Sequence, residues 1–248
     1  MAAKSPNKST AVMAKRRARD DNEGLTEEEK LWKQLDLFPT PPWAARAGLE
    51  HAKTLWPQAQ IMREPACGKM HIAAPAKEYF AQVLPSDVHA HEDNTPVRDW
   101  LDDAAWPDKP DCDVVFTNPP FAIADQFIIK GLQRARLGVA LLLRLNVLEG
   151  VDRYTLLNGP RAFLTQSVVF SERVPMTLGD WDPDASSATA YAWFFWSKVH
   201  QPAPTAWFPP GTRDRLWRRD DAAKFGKLTP MPLFERTVAS FYEDFDVI

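Results

Sequence analysis

The sequence predicts an α/β fold: a mostly parallel central sheet with helices on both faces. Three observations point there. A short strand at 61–64 and apolar runs at 114–116 and 139–143 alternate with stretches of helical periodicity, the order that a parallel sheet with crossover helices requires. The run 139–143 is apolar without alternation, as in a strand covered on both faces. Two further β-rich runs, 163–170 and 190–196, close the series. A chain of 248 residues, 45% hydrophobic and 25% charged, suits one α/β domain with tails or an appended lobe.

The elements follow in order. Residues 1–24 read as a disordered basic tail, because Lys4, Lys8, Lys15, Arg16, Arg17 and Arg19 come with little apolar surface to bury. Thr26 before Glu27, Glu28 and Glu29 is an N-cap with an acidic first turn, opening a helix through Leu35. Phe38-Pro39-Thr40-Pro41-Pro42-Trp43 breaks that helix, and 44–55 reads as a second one ended by Trp56-Pro57. The strand 61–64 leads into the turn Pro65-Ala66-Cys67-Gly68. A helix is expected over 72–83, then a short strand ending at Ser86-Asp87-Val88. After the strand 114–116, a helix over 123–136 carries Phe127, Ile128, Leu132 and Ala135 at near-helical spacing. The run 201–212, with Pro202, Pro204, Pro209, Pro210 and Gly211, reads as a linker or wrapping loop. The folded domain is therefore expected over 25–200, with 201–248 as a C-terminal extension. Arg213, Arg215, Arg218, Arg219, Lys224 and Lys227 in that extension suit a phosphate backbone; Asp214, Asp220 and Asp221 suit a mixed-charge surface helix instead.

Composition narrows the chemistry. A net charge of −3 excludes binding of nucleic acid by bulk basicity, so any such contact needs a local patch. Cys67 and Cys112 supply neither a disulfide framework nor zinc spacing, and the five histidines stand in no metal-ligand pattern, so no metal is expected. No secretory signal or membrane-spanning run is present, which makes a reducing cytoplasm the expected location. The ten tryptophans suit stacking surfaces and core filling equally.

The most informative stretch is Asn118-Pro119-Pro120-Phe121, which follows the strand Val114-Val115-Phe116. The Asn118 side-chain oxygen and the Pro119 carbonyl are two acceptors. Together they can hold both hydrogens of an exocyclic amine and turn its lone pair toward an electrophile. Pro119 and Pro120 stiffen the loop by fixing φ, and Phe121 offers a flat face for an extruded base. Upstream, Glu64-Pro65-Ala66-Cys67-Gly68 sits at a strand's carboxyl end, where open α/β sheets bind ligands. Asp87, ending the next strand, can accept hydrogen bonds from ribose hydroxyls. Asp99, beside Trp100, can bind an adenine amino group while the indole stacks; Asp102 competes for that role.

With these motifs in this order, the chain resembles the S-adenosylmethionine-dependent amino-methyltransferases of DNA, in particular the phage-type N6-adenine enzymes. The resemblance runs from about Phe38 to Trp196. It extends to Leu143-Arg144-Leu145, Leu148-Glu149-Gly150, Arg153 and Ala192-Trp193-Phe194-Phe195-Trp196. It implies a Rossmann-like class I methyltransferase domain, S-adenosylmethionine as cofactor and DNA as partner. By that resemblance Thr40, Pro41, Glu64, Ala66 and Gly68 hold the methionine part of the cofactor, Asp87 its ribose and Asp99 its adenine. Asn118, Pro119, Pro120 and Phe121 hold the target amine. Cytosine N4, an RNA base or a protein glutamine would suit the same four residues, and a methyltransferase-like binding module without catalysis is the alternative of a different class. One departure stands out: the family turn reads Gly-x-Gly, and here Met70 takes the second glycine's place in Gly68-Lys69-Met70. A methionine there is expected to crowd the ligand or to strain the backbone where φ is positive, at about 1–3 kcal/mol.

Overall fold

A computed structural model of the chain describes residues 22, 24–92, 95–106, 110–159 and 162–226. The expected basic tail and the aromatic C-terminus around Phe241 lie almost wholly outside these residues. Helix α1 (Glu27–Gln34) opens with a reciprocal cap: Thr26 Oγ1 accepts the Glu29 N–H (3.1 Å) and Glu29 Oε2 accepts the Thr26 N–H (2.7 Å). Helix α2 (Pro42–Leu55) begins on Pro42, whose missing N–H costs nothing at a helix start. Its small residues let it lie close on the sheet. A Cβ at Gly48 would stand 2.4 Å from the Trp193 indole, and Trp193 Nε1 donates to the Ala44 carbonyl (2.9 Å).

The strands are β1 (Ile61–Glu64), β2 (Gln82–Pro85), β3 (Cys112–Thr117), β4 (Ala135–Arg144), β5 (Ala162–Phe163), β6 (Gln166–Phe170), β7 (Tyr191–Ser197) and β8 (Ala206–Phe208). Seven of them form one sheet in the order β2-β1-β3-β4-β7-β6-β8. β1 pairs in parallel with β2 and β3, β3 with β4, and β6 with β8; β7 runs antiparallel to β4 and β6. The sheet is mostly parallel, as the sequence predicts. Alternate residues feed opposite faces. Val114, Phe116, Ala140, Leu142, Trp193 and Phe195 join the α2 side, while Val115, Val139, Leu141, Phe194 and Trp196 join the side of α4 (Ala124–Arg134). The tryptophans mostly fill these two cores: Trp43, Trp56 and Trp193 lie in one, Trp100, Trp106 and Trp196 in the other, and Trp181 is buried outside both.

Two expected helices are shorter than the pattern implies. The segment 72–83 contains only α3 (Ala73–Ala76). Its tail is drawn into β2 because Gln82–Pro85 pairs with the whole of β1. Helix α4 stops at Arg134 rather than 136, since Ala135 already pairs with Cys112 in the β3–β4 ladder. In both places strand pairing outcompetes local helical preference. The run 201–212 wraps along the sheet: the Thr165 carbonyl accepts the Ala203 N–H (2.7 Å) and β8 extends β6. Beyond it lie α6 (Thr212–Leu216) and α7 (Asp221–Phe225), with α5 (Tyr154–Asn158) on the opposite flank. Arg46 of α2 forms a two-pronged ion pair with Asp221 (2.7 and 3.0 Å), both side chains almost fully buried. Several cations of the basic segment are engaged internally, Arg215 with Glu50, Arg218 with Glu78 and Lys224 with Asp220.

From β1 the chain crosses to β2 on one side and then returns to β3 on the other. The sheet's direction of winding thus reverses between β1 and β3, which opens a crevice at their carboxyl ends.

Candidate functional site

Two cavities flank the loop after β3. The first, of about 290 Å³, lies over the crevice between β1 and β3. Thr40, Glu64, Ala66, Gly68, Asp87, Asp99 and Asn118 all line it, although they come from five separate stretches of chain. Pro41 does not; it precedes α2, and its carbonyl accepts the Ala44 and Ala45 N–H groups (2.9 and 3.1 Å). The second cavity, of about 940 Å³, lies on the other side of the loop, between α4 and the end of β4; Phe121, Arg144 and Arg153 are in its wall. Pro119 lines neither cavity and is buried. Asp36, Pro120 and Ile123 line both.

The turn after β1 is laced to the end of β2. Cys67 N–H donates to the Ser86 carbonyl (3.0 Å), and the Gly68 N–H donates to Asp87 Oδ2 (2.8 Å). Asp87 Oδ1 takes the His89 N–H (3.0 Å). Gly68 has φ +46°, and Met70 has φ +64°. The methionine thus adopts the left-handed backbone that the glycine of the family turn takes without cost. Its side chain is not among those lining the cavity. Lys69, another cavity residue, pairs with Asp180 and lies 4.6 Å from the centre of the Trp32 ring.

Buried polar atoms without partners gather at this cavity. Thr40 Oγ1, Glu64 Oε2, Trp100 Nε1 and Asn118 Oδ1 belong to residues that line it, and none has a hydrogen-bond partner among the described residues. Such atoms cost about 1–3 kcal/mol each until a ligand satisfies them. Burial pushes the Glu64 carboxyl well above its ordinary range; the Ala73 N–H opposes the rise and the charge of Asp87 adds to it. His71, also in the wall, is pushed down to about 4 by burial, against the Thr40 carbonyl that its Nδ1 meets at 3.1 Å. Asp99 is exposed at the rim and accepts the Leu101 N–H (2.8 Å). Its rival Asp102 caps the short turn Asp103–Ala105 and is not in the cavity wall. A parallel bridge from Asp87 to Val97 places the Asp99 segment beyond β2, where a further strand would run.

Asn118 is held in one orientation. Its Nδ2 donates to the Phe38 carbonyl (2.8 Å) and approaches Met176 Sδ (3.9 Å), so Oδ1 is the free end of the amide. No hydrogen bond reaches the Pro119 carbonyl among the described residues, whereas the Pro120 carbonyl takes the Ile123 N–H (3.2 Å). The Phe121 N–H donates to Asp36 Oδ2 (2.7 Å), and the Arg144 guanidinium lies 4.3 Å from the centre of the Phe121 ring. Asp36 and Arg144 are the residues at this loop to which the sequence reading assigned no role. Asp36 stands only two residues before the Phe38-Pro39-Thr40 segment, but no periodicity or motif marks it.

No protein-family model matches the sequence, and no curated protein matches it. Solved structures do resemble it. A candidate class I S-adenosylmethionine-dependent methyltransferase from Listeria monocytogenes superposes over 75% of this chain and 67% of its own, with a TM-score of 0.51 and 12% identity. The fold is that of the class I methyltransferases. A candidate RNA methyltransferase from Pyrococcus horikoshii shares the same class I architecture over 68% of this chain and 89% of its own, with a TM-score of 0.52 and 17% identity. Among the described residues no helix is long and apolar enough to cross a membrane, and no group of three or more His, Cys, Asp or Glu is placed to hold a metal ion.

Proposed function

We infer that this chain is an S-adenosylmethionine-dependent methyltransferase acting on the N6 amine of adenine in DNA, with the base turned out of the duplex. The observation that carries the reading is the fixed amide of Asn118. Its NH2 is committed to the Phe38 carbonyl, and its buried Oδ1 is left as an unpartnered acceptor in a residue of the first cavity's wall, next in sequence to Pro119, whose carbonyl accepts no hydrogen bond among the described residues. A site built to hold an NH2 needs two acceptors and no donor at that point.

The first cavity fits a nucleoside that carries an amino acid. Thr40 Oγ1, the Gly68 turn and the Glu64 carboxylate suit the amino-acid end, since an ammonium beside Glu64 would offset the burial that now raises its pKa. Asp87 suits ribose hydroxyls, and Asp99 with the buried Trp100 suits the adenine ring. When bound, S-adenosylmethionine supplies an electrophilic methyl group. The chain's own contribution is position and polarity: Asn118 and Pro119 would hold the amine's hydrogens so that its lone pair turns out of conjugation with the ring, and Pro120 keeps their spacing rigid. The second cavity is the compartment for the base. Phe121 is its platform, a ring that already accepts a planar group, the Arg144 guanidinium, against its face. Lys33, Arg144 and Arg153 in that wall are balanced by Asp36, Asp125 and Asp152, so the cavity holds charges of both signs.

The test is incubation of unmethylated DNA with labelled S-adenosylmethionine, followed by digestion to nucleosides. Label in N6-methyl-2′-deoxyadenosine is the expected result, and label in another nucleoside or in none overturns the assignment. Asn118→Ala should lower kcat by about 100-fold or more while the Kd for the cofactor, measured by calorimetry, stays near that of the wild type.

A further inference from the structure

We propose that Asp36 is the proton acceptor for the amine. This rests on the methyl-transfer reading above and adds a residue that no motif marks. An amide can orient an amine but cannot take a proton from it near neutral pH, so Asn118 leaves the proton without a destination. Among the described residues, Asp36 is the one carboxylate that lines both cavities. It also touches the amine-binding loop itself: Oδ2 accepts the Phe121 N–H at 2.7 Å, while Oδ1 accepts no hydrogen bond from the described residues.

The backbone at this point strengthens the argument. Helix α1 ends with the Leu37 N–H on the Trp32 carbonyl (2.9 Å) and the Asp36 N–H on the Lys33 carbonyl (3.3 Å). Asp36 occupies the left-handed position of that ending, with φ +54°. Glycine or asparagine would cap this helix at lower cost. What aspartate adds is a carboxylate at the boundary between the two compartments.

The step balances. The amine nitrogen uses its lone pair to form the new N–C bond, and the electron pair of the donor's C–S bond leaves with sulfur. Nitrogen then carries a positive charge until one N–H proton passes to Asp36 Oδ1, giving a neutral carboxylic acid and a neutral methylated amine. The acid returns its proton to solvent through the second cavity. The charged and titratable groups that line the cavities with Asp36 are Lys33, Asp125, Arg144, Asp152 and Arg153 on the side of that cavity, and Glu64, Cys67, Lys69, His71, Asp87, His91 and Asp99 on the other, with Tyr191 within electrostatic reach.

Asp36→Asn isolates the proton transfer. Asparagine tolerates positive φ and keeps an oxygen for the Phe121 N–H, so the urea midpoint and the calorimetric Kd for S-adenosylmethionine should match the wild type. Under saturating substrates kcat should fall by about 100-fold. Asp36→Gly, which suits the helix ending still better, should be folded and equally slow. A wild-type kcat in Asp36→Asn would overturn the assignment and leave the methyltransferase reading standing. An equal loss of cofactor affinity or of stability would make Asp36 a structural residue and overturn it as well. Failure of the wild type to methylate any amine removes both readings at once.

Discussion

Removing the Asp221 carboxylate should unlatch the C-terminal segment from the sheet. Its two oxygens meet Arg46 Nη1 and Nη2 at 2.7 and 3.0 Å, and Oδ2 also accepts the Arg218 N–H (3.0 Å). The Asp221 side chain is 1% exposed and that of Arg46 is 5% exposed, so water does not replace what is lost. In Asp221→Ala the guanidinium retains Glu78 Oε1 (2.9 Å) and the Leu216 carbonyl (3.3 Å). Breaking one side of a buried pair costs about 3–5 kcal/mol. Because Glu78 remains, the lower end applies, about 3 kcal/mol. With a urea m-value of about 3 kcal/mol/M, the unfolding midpoint should fall by about 1 M with m unchanged. Arg46→Met combined with Asp221→Leu should recover most of that loss, since an apolar pair of similar size carries no unpaired charge. A midpoint shift under about 0.3 M for Asp221→Ala would refute the reasoning, because it would mean that the carboxylate is solvated or that its segment does not pack on α2.

Two further outcomes follow from the end of β1 and the turn after it. Met70→Gly should be more stable than Met70→Ala by about 1 kcal/mol, because alanine keeps a side chain at φ +64° and glycine does not; equal urea midpoints would show the turn to be unstrained. Glu64 is protonated more readily in the folded chain than in the unfolded one, where its pKa is about 4.5. The folded state therefore binds the extra proton between that value and the raised one, and stability falls as pH rises through this window. Glu64→Gln should remove that slope, which urea midpoints measured at pH 5 and pH 8 will show. A slope identical to the wild type's would place the titration elsewhere.

Much of this protein is written locally. The capping box at Thr26 and Glu29, the apolar runs of β3 and β4, and the rigid Asn118-Pro119-Pro120-Phe121 loop each depend on residues a few positions apart. Such short-range patterns express backbone sterics, side-chain periodicity and hydrogen-bonding capacity directly, so the fold class was legible in the sequence, and the loop residues proposed to hold the amine could be named there. The tertiary structure decided the rest, because the deciding partners are far apart in sequence. Pairing with β1 cut short the helix expected at 72–83. Val168 and Ala206 drew a proline-rich run into the sheet. Arg46 met Asp221 across 175 positions, and Phe38 met Asn118 across 80. The meeting of Asp36 with Phe121 across 85 residues set a carboxylate between two cavities. No local pattern encodes these encounters, since each is fixed by where the sheet, once paired and covered on both faces, brings its strand ends together.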